Sequence, residues 1–367
     1  MMLFKPYKLG AFTMRNRLVM APMTTYSSNP DFTVSEEEIA YFKRRSSHLG
    51  MVITAATAVS AQAQAFPLQV SLKDDSFIAS QQALAKAIQE EGALAVVQLH
   101  HGGRMNVPSL HADPNNIVSA SAIKAEREGV ATPRALSEEE VEQVIDDFVS
   151  ALKRAIAAGY DGAELHGANT YLLQQFFSPH SNRRTDRFGG SLDKRMTFAK
   201  TLIERSVNAI KEAGRPFLLG YRFSPEELET PGITLEDTQA FVAMLKTQAL
   251  DYVHISLGRY NQSSIRESSD KRKIVDVIQA ELKHAIPLIG VGGIHTKESA
   301  EDALAHGYEL VATGMSIIAD PDWALKIETG KALNTVIGPK LLLPTPLYQR
   351  LLNNKPWFER NGYTFEV

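Results

Sequence analysis

Eight short apolar, β-branched runs, each followed by an amphipathic helical window, constrain this chain more than any other feature. The runs are 17–21, 52–54, 93–99, 162–166, 216–222, 252–256, 286–290 and 310–313. The helical windows include 35–48, 75–91, 137–158, 192–213, 234–248, 272–284 and 296–306. Strands that read as near-continuous apolar runs suit a parallel sheet buried on both faces. A doubly wound open sheet can show the same alternation, but eight regular units favour closure into a (β/α)8 TIM barrel. Ser137, followed three residues later by Glu140, carries the signature of a helix-starting capping box. No repeat, low-complexity tract or linker divides the chain. A single barrel domain over 1–343 is expected, with an aromatic tail over 344–367 (Trp357 and Phe358) docking on that barrel or on a neighbouring subunit of a homo-oligomer.

Composition narrows the function. The 367 residues carry a net charge of −3, and their Lys and Arg are scattered rather than striped, so no nucleic-acid surface is implied. Cys is absent, which removes disulfides, thiolate nucleophiles and iron–sulfur clusters. The first seven residues lack a basic region followed by an apolar run, and no apolar stretch approaches membrane-spanning length; cytoplasm is the default and no membrane partner is expected. Two long segments, 105–135 and 178–191, fit neither helix nor strand. They follow the third and fourth strands, at the barrel end where active sites are built.

The fourth strand and its exit, Asp161-Gly-Ala-Glu-Leu-His-Gly-Ala-Asn-Thr-Tyr171, hold the most informative chemistry. His166 and Asn169 offer two neutral donors that could grip one oxygen, and Tyr171 is a phenol protonated at neutral pH. Two donors on a carbonyl oxygen plus a proton source suit reduction of a carbon–carbon double bond next to that carbonyl. The plainer reading is a satisfied core histidine in a buried salt bridge. Glu164 faces the same way as His166 and needs a cationic or donor partner, for which Arg222 is a candidate. Gly290-Val-Gly-Gly-Ile294 and Thr313-Gly-Met-Ser316 close strands seven and eight, where barrels commonly bind phosphate; tight turns alone would also demand those glycines. His295 stands where a third Rossmann glycine would be, so a nicotinamide must visit the barrel mouth. The adjacent His100 and His101 invite a metal reading, but strand neighbours point to opposite faces and no supporting carboxylates are present. Gln98 is placed to bond an amide-like ring edge, and Arg222 to offer fixed positive charge to an electron-rich heterocycle.

Together these features resemble the old yellow enzyme family of FMN-dependent ene reductases, over nearly the whole chain. The markers are Asn16-Arg-Leu-Val-Met-Ala-Pro-Met-Thr24, Ala56-Thr-Ala-Val-Ser60, Gln98-Leu-His-His-Gly-Gly-Arg104, His166-Gly-Ala-Asn169, Phe177-Ser-Pro-His-Ser-Asn-Arg-Arg-Thr-Asp186, Gly189-Gly-Ser191, Val291-Gly-Gly-Ile294 and Ala319-Asp-Pro-Asp-Trp323. The long run beginning Phe177-Ser-Pro is the most specific of them.

The resemblance implies that Pro22, Met23 and Thr24 line the flavin edge, with Thr24 bonding its O4. The backbone of Ala56 and the amide of Gln98 would hold the pyrimidine ring, with Arg222 against N1 and O2. Gly292, Gly293, Gly314 and the N–H of Met315 would take the phosphate. His166 and Asn169 would bind the substrate oxygen, Tyr171 would protonate, and Tyr26 would close the pocket. NADH or NADPH would reduce FMN, and flavin N5 would then pass hydride to an enone, enal, maleimide or nitroalkene. A quinone or oxygen acceptor is the rival enzyme reading; a non-catalytic barrel holding a phosphorylated ligand is the rival from another class. Two positions depart from the family pattern. Met315 replaces the usual Arg after the strand-eight glycine, which weakens the phosphate grip unless a cation such as Lys297 reaches in. Thr24 stands where some branches use Cys.

Overall fold

Each strand of the barrel pairs with its sequence neighbours, and the last returns to the first. In the computed structural model, which describes residues 2–366 apart from 112, the strands are β1 (Leu18–Met20), β2 (Met51–Ala58), β3 (Leu94–His100), β4 (Gly162–Gly167), β5 (Leu218–Phe223), β6 (Tyr252–Ile255), β7 (Leu288–Val291) and β8 (Leu310–Thr313). All pairings within the barrel are parallel, and β8 closes on β1 with Val311 opposite Leu18. The expected TIM barrel is therefore the fold. Met1, Val367 and Ala112, which belong to the N-terminal segment, the tail and the first long loop, lie outside the described residues.

Two apolar clusters hold the barrel together. Inward-facing Val19, Ile53, Val96, Tyr252, Ile289 and Leu310 fill its interior, while a larger cluster joins the outer strand faces to the helices. Leu9 and Met14 join the inner cluster from an antiparallel hairpin, Tyr7–Leu9 with Phe12–Met14. Its turn at Gly10 abuts Asp251 and Leu218, at the starts of β6 and β5, so the hairpin plugs the end of the barrel opposite the active face. Three-residue strands leave no readable periodicity, which is why the sequence pattern missed them.

The helices follow the predicted windows within two residues at most ends. Leu192–Ala213 coincides with its window, and the capping box of Ser137 and Glu140 is formed at the start of Glu138–Ala157. Two expectations need correction, and a third is narrowed to one of its alternatives. β2 runs on to Ala58 through a bulge between Ile53 and Ala56, and its end is held by the bridge of Ala58 to Ser71 and backbone bonds to Val70 and Leu72. The segment 105–135 is not without structure: it contains 3-10 turns and a two-residue parallel pairing of Val118–Ser119 with Arg134–Ala135. The tail packs on its own barrel, with Leu347, Leu351 and Phe358 buried and Thr364–Phe365 paired to Val336–Ile337. Among the described residues, no helix is long and apolar enough to cross a membrane.

Candidate active site

Strand register sets the floor of the site. Gln98 lies opposite Glu164, His166 opposite Arg222, and Arg222 opposite His254, so four adjacent strands deliver polar side chains to one level of the barrel. Glu164 is fully buried. Its Oε1 accepts from Gln98 Nε2 at 2.8 Å, and its Oε2 lies 2.9 Å from His254 Nδ1. Burial lowers the pKa of His254, so this contact is a hydrogen bond from a neutral imidazole rather than an ion pair. Burial opposes the charge of Glu164, but His254, Arg222 and Gln98 outweigh it and hold the pKa below the usual carboxylate value. The direct partners of Glu164 are therefore Gln98 and His254. Arg222, the partner expected from sequence, contributes charge without a hydrogen bond.

Beyond β4 the chain turns sharply. Asn169 (φ 57°) and Thr170 (φ 69°) both adopt left-handed conformations, which Asn tolerates and β-branched Thr resists. The turn is held where Asn169 N–H donates to Ser224 Oγ (2.9 Å) and Thr170 N–H to Gln174 Oε1 (2.9 Å). It brings the Tyr171 ring back over the strand end, 5.2 Å from the ring of His166 and 4.4 Å from that of His100. Burial, seconded by His100 and Arg222, pushes the His166 pKa well below the ordinary value, so the ring is a neutral donor at physiological pH. Its buried Nδ1 has no hydrogen-bond partner among the described residues. Tyr171 is pushed up to about 12, by burial first and Tyr26 second, which keeps its proton in place. Asn169 is anchored by its oxygen alone: Ser256 Oγ donates to Oδ1 (2.8 Å), and Arg222 Nη2 donates to Ser256 in turn (3.2 Å). The Asn169 side-chain nitrogen makes no hydrogen bond among the described residues, and the residue is exposed.

Alongside lies a cavity of about 460 Å³, lined on one side by Pro22, Met23, Thr24, Tyr26 and Arg222. Gly292, Gly293, Gly314 and Met315 line its far end, and Leu347, Arg350 and Trp357 of the tail roof it. Two contacts link the cavity wall to the His166–Tyr171 cluster, although His166, Asn169 and Tyr171 do not themselves line the cavity. Tyr26 packs edge-on to Phe66 (5.6 Å), which faces Tyr171 (5.8 Å), and the Arg222–Ser256–Asn169 chain runs along the other side. Ala56 and Gln98 are register partners across β2 and β3 and do not line the cavity. The Ala56 carbonyl already accepts from Gln69 Nε2 at 3.0 Å.

The residues fit FMN on three counts. Arg222, which lines the cavity, is buried and its Nε has no partner among the described residues, as expected of a guanidinium built to meet a ligand. Gly292 (φ 107°) and Gly293 (φ 68°) form a bend that no other residue adopts easily, and a Cβ on Gly292 would sit 2.5 Å from the Leu257 carbonyl. The volume is that of a small-molecule site. Lys297, the cation considered for the phosphate end, is not there: its Nζ lies 5.9 Å from the ring centroid of Phe4.

Several contributors were invisible in the sequence pattern. His100 was weighed only as a metal ligand, yet it is the ring nearest Tyr171 and is held by Gln69 (3.1 Å). Phe66 and Gln69 sit in an irregular loop after β2, His254 lies in a strand of four residues, and Ser256 follows that strand. Arg350 lies 4.7 Å from the Tyr26 ring from a helix more than three hundred positions away. No local pattern marks such residues.

The fold and site define a flavin-dependent oxidoreductase barrel. The profile of the NADH:flavin oxidoreductase / NADH oxidase family matches residues 2–334, and the chain belongs to that family. It is 43% identical over 363 residues to the probable NADH-dependent flavin oxidoreductase YqiG of Bacillus subtilis (strain 168), covering 97% of each protein. It is 40% identical over 356 residues to an NADH:fumarate oxidoreductase of Klebsiella pneumoniae (strain 342), covering 95% of this chain but only 38% of that longer protein. Among solved structures, the old yellow enzyme homologue from Zymomonas mobilis superposes with a TM-score of 0.80 at 25% identity, covering 94% of this chain and 98% of that one. The protein is thus an oxidoreductase of the old yellow enzyme type, with FMN as cofactor and NAD(P)H as reductant.

Proposed function

We propose that the protein is an ene reductase, reducing activated carbon–carbon double bonds (enones, enals, maleimides or nitroalkenes) at the expense of NADH or NADPH. The observation that carries this reading is the packing of a neutral His166 against a protonated Tyr171, with the Asn169 amide tethered beside them through Ser256 to Arg222. FMN, when bound, would supply the hydride chemistry that couples the nicotinamide to the alkene. The protein does the rest.

His166 and Asn169 donate to the carbonyl or nitro oxygen of the alkene, and they stabilise the negative charge that gathers there as the β-carbon becomes saturated. The nicotinamide carboxamide would use the same pair in the other half-reaction. Tyr171 gives its proton to the α-carbon; a phenol pushed up to about 12 is a weak acid, but the carbon it meets is strongly basic at that moment. Pro22, Met23 and Thr24 would line the flavin edge, with Thr24 bonding O4. Ala56 and Gln98 would meet the pyrimidine side, and Arg222 would offer its free Nε–H to the edge that gains electron density. Gly292, Gly293, Gly314 and Met315 would cradle the phosphate with backbone N–H groups, and Tyr26 with Phe66 would exclude water from the substrate side. The protein orients and the cofactor reacts.

The test compares acceptors under anaerobic conditions. The purified yellow protein, given NADH or NADPH, should turn over 2-cyclohexenone with a kcat/KM at least comparable to that for menadione. Rapid menadione reduction with no cyclohexenone turnover would assign a quinone reductase instead.

A further inference from the structure

We infer that Arg259 and Arg360 supply the positive charge for the FMN phosphate, replacing from outside strand eight the arginine that Met315 lacks. This rests on the flavin reading above. A second cavity, of about 380 Å³, opens beside the first and shares Gly258, Gly293 and His295 with it; Arg259 and Arg360 are among the residues of its remaining wall. No carboxylate lines it. Arg259 leaves the β6 loop directly above the glycine bend, so that a Cβ on Gly293 would lie 3.8 Å from Arg259 Cγ. Arg360 ends the tail helix Lys355–Arg360, and the tail is fastened at this spot: Tyr363 Oη lies 2.9 Å from His295 Nδ1, and Phe358 is buried.

The two guanidiniums differ from most others in the protein. Arg44, Arg184, Arg205 and Arg272 each grip a carboxylate, whereas Arg259 and Arg360 have no ion pair or side-chain hydrogen bond among the described residues. Two unpaired cations converging on one acid-free hollow repel each other, and a phosphate removes that cost by standing between them. A phosphate monoester, close to a dianion at neutral pH, matches the planar fork of arginine. His295 cannot take this role, because burial lowers its pKa and keeps it neutral. Thus the tail, besides roofing the flavin cavity, carries part of the cofactor grip.

The experiment measures flavin release from the full-length holoprotein on dilution, read by free-flavin fluorescence, with FMN and after exchange with riboflavin. Both arginines are exposed and partnerless, so Arg259→Gln and Arg360→Gln should fold normally. Each is expected to weaken FMN retention roughly three- to tenfold, the double variant more, and to flatten its salt dependence. Riboflavin retention should be unchanged, and so should the NADPH-to-NADH preference. FMN and riboflavin lost equally, or a changed preference for NADPH with FMN retention intact, would overturn the inference while leaving the flavin reading in place. A protein that binds neither flavin would overturn both.

Discussion

Replacing Glu164 with Gln tests the polar floor on which the site is built. The carboxylate is fully buried and receives two hydrogen bonds, from Gln98 at 2.8 Å and His254 at 2.9 Å. A glutamine has one acceptor oxygen, so one of those donors would meet an amide N–H instead. An unsatisfied buried donor costs about 1–3 kcal/mol. Arg222 would also lose the buried countercharge of Glu164, for which the about 3–5 kcal/mol cost of breaking a directly paired buried salt bridge is an upper bound. The two terms share partners and do not add fully, so about 4 kcal/mol is expected. A chain of this length unfolds with an entropy near ~0.8 kcal/mol per kelvin, which converts the loss to a Tm lower by about 5 °C. Calorimetry of the holoprotein reads this directly. The effect has a pH signature as well. The Glu164 pKa is depressed in the fold, so its contribution is present above the unfolded value of 4.5 and lost as pH falls through the folded one. The gap between wild type and variant should therefore close in acid. A Tm within 1 °C of wild type at pH 7, or a gap independent of pH, would refute the reasoning.

His166→Ala should slow both half-reactions by about a hundredfold, because nicotinamide and alkene lean on the same donor; an unchanged reduction by NADH contradicts a shared pocket. Glu38 is buried, and burial pushes its pKa up to about 7 despite hydrogen bonds from the Thr25 hydroxyl and the Ser35 N–H. A raised acid stabilises the fold fully below 4.5 and loses that contribution as pH rises through about 7, so wild type should lose about 3 kcal/mol across that window. Glu38→Gln should abolish this slope in a series of melts, and an identical slope would contradict the assignment.

The sequence alone carried the barrel because its regularity is repeated eight times, and each unit has to bury the same two faces. Helix bounds came from capping residues such as Ser137, which act locally. The hairpin plug and the pairing inside 105–135 did not register, since two- or three-residue strands are specified by what they pack against. In the site, His166, Asn169 and Tyr171 were legible because they fall within six residues at one strand end. Their supports were not: Gln69 orients His100, His254 shares Glu164, and Ser256 tethers Asn169, each from another strand or loop. Contacts between remote segments leave no periodic trace. The same holds beside the glycine bend, where Lys297 looked suitable from sequence and Arg360, remote along the chain, lines the adjoining cavity.

The most direct test separates the two half-reactions in Tyr171→Phe. The substitution keeps the ring against His100 and His166 and removes only the proton donor. In anaerobic stopped flow, NADH should bleach the variant's flavin at close to the wild-type rate, while recovery of the yellow colour with 2-cyclohexenone should slow by about a hundredfold or more. Recovery at the wild-type rate, or equal slowing of both steps, would contradict a role for Tyr171 as the acid that completes alkene reduction.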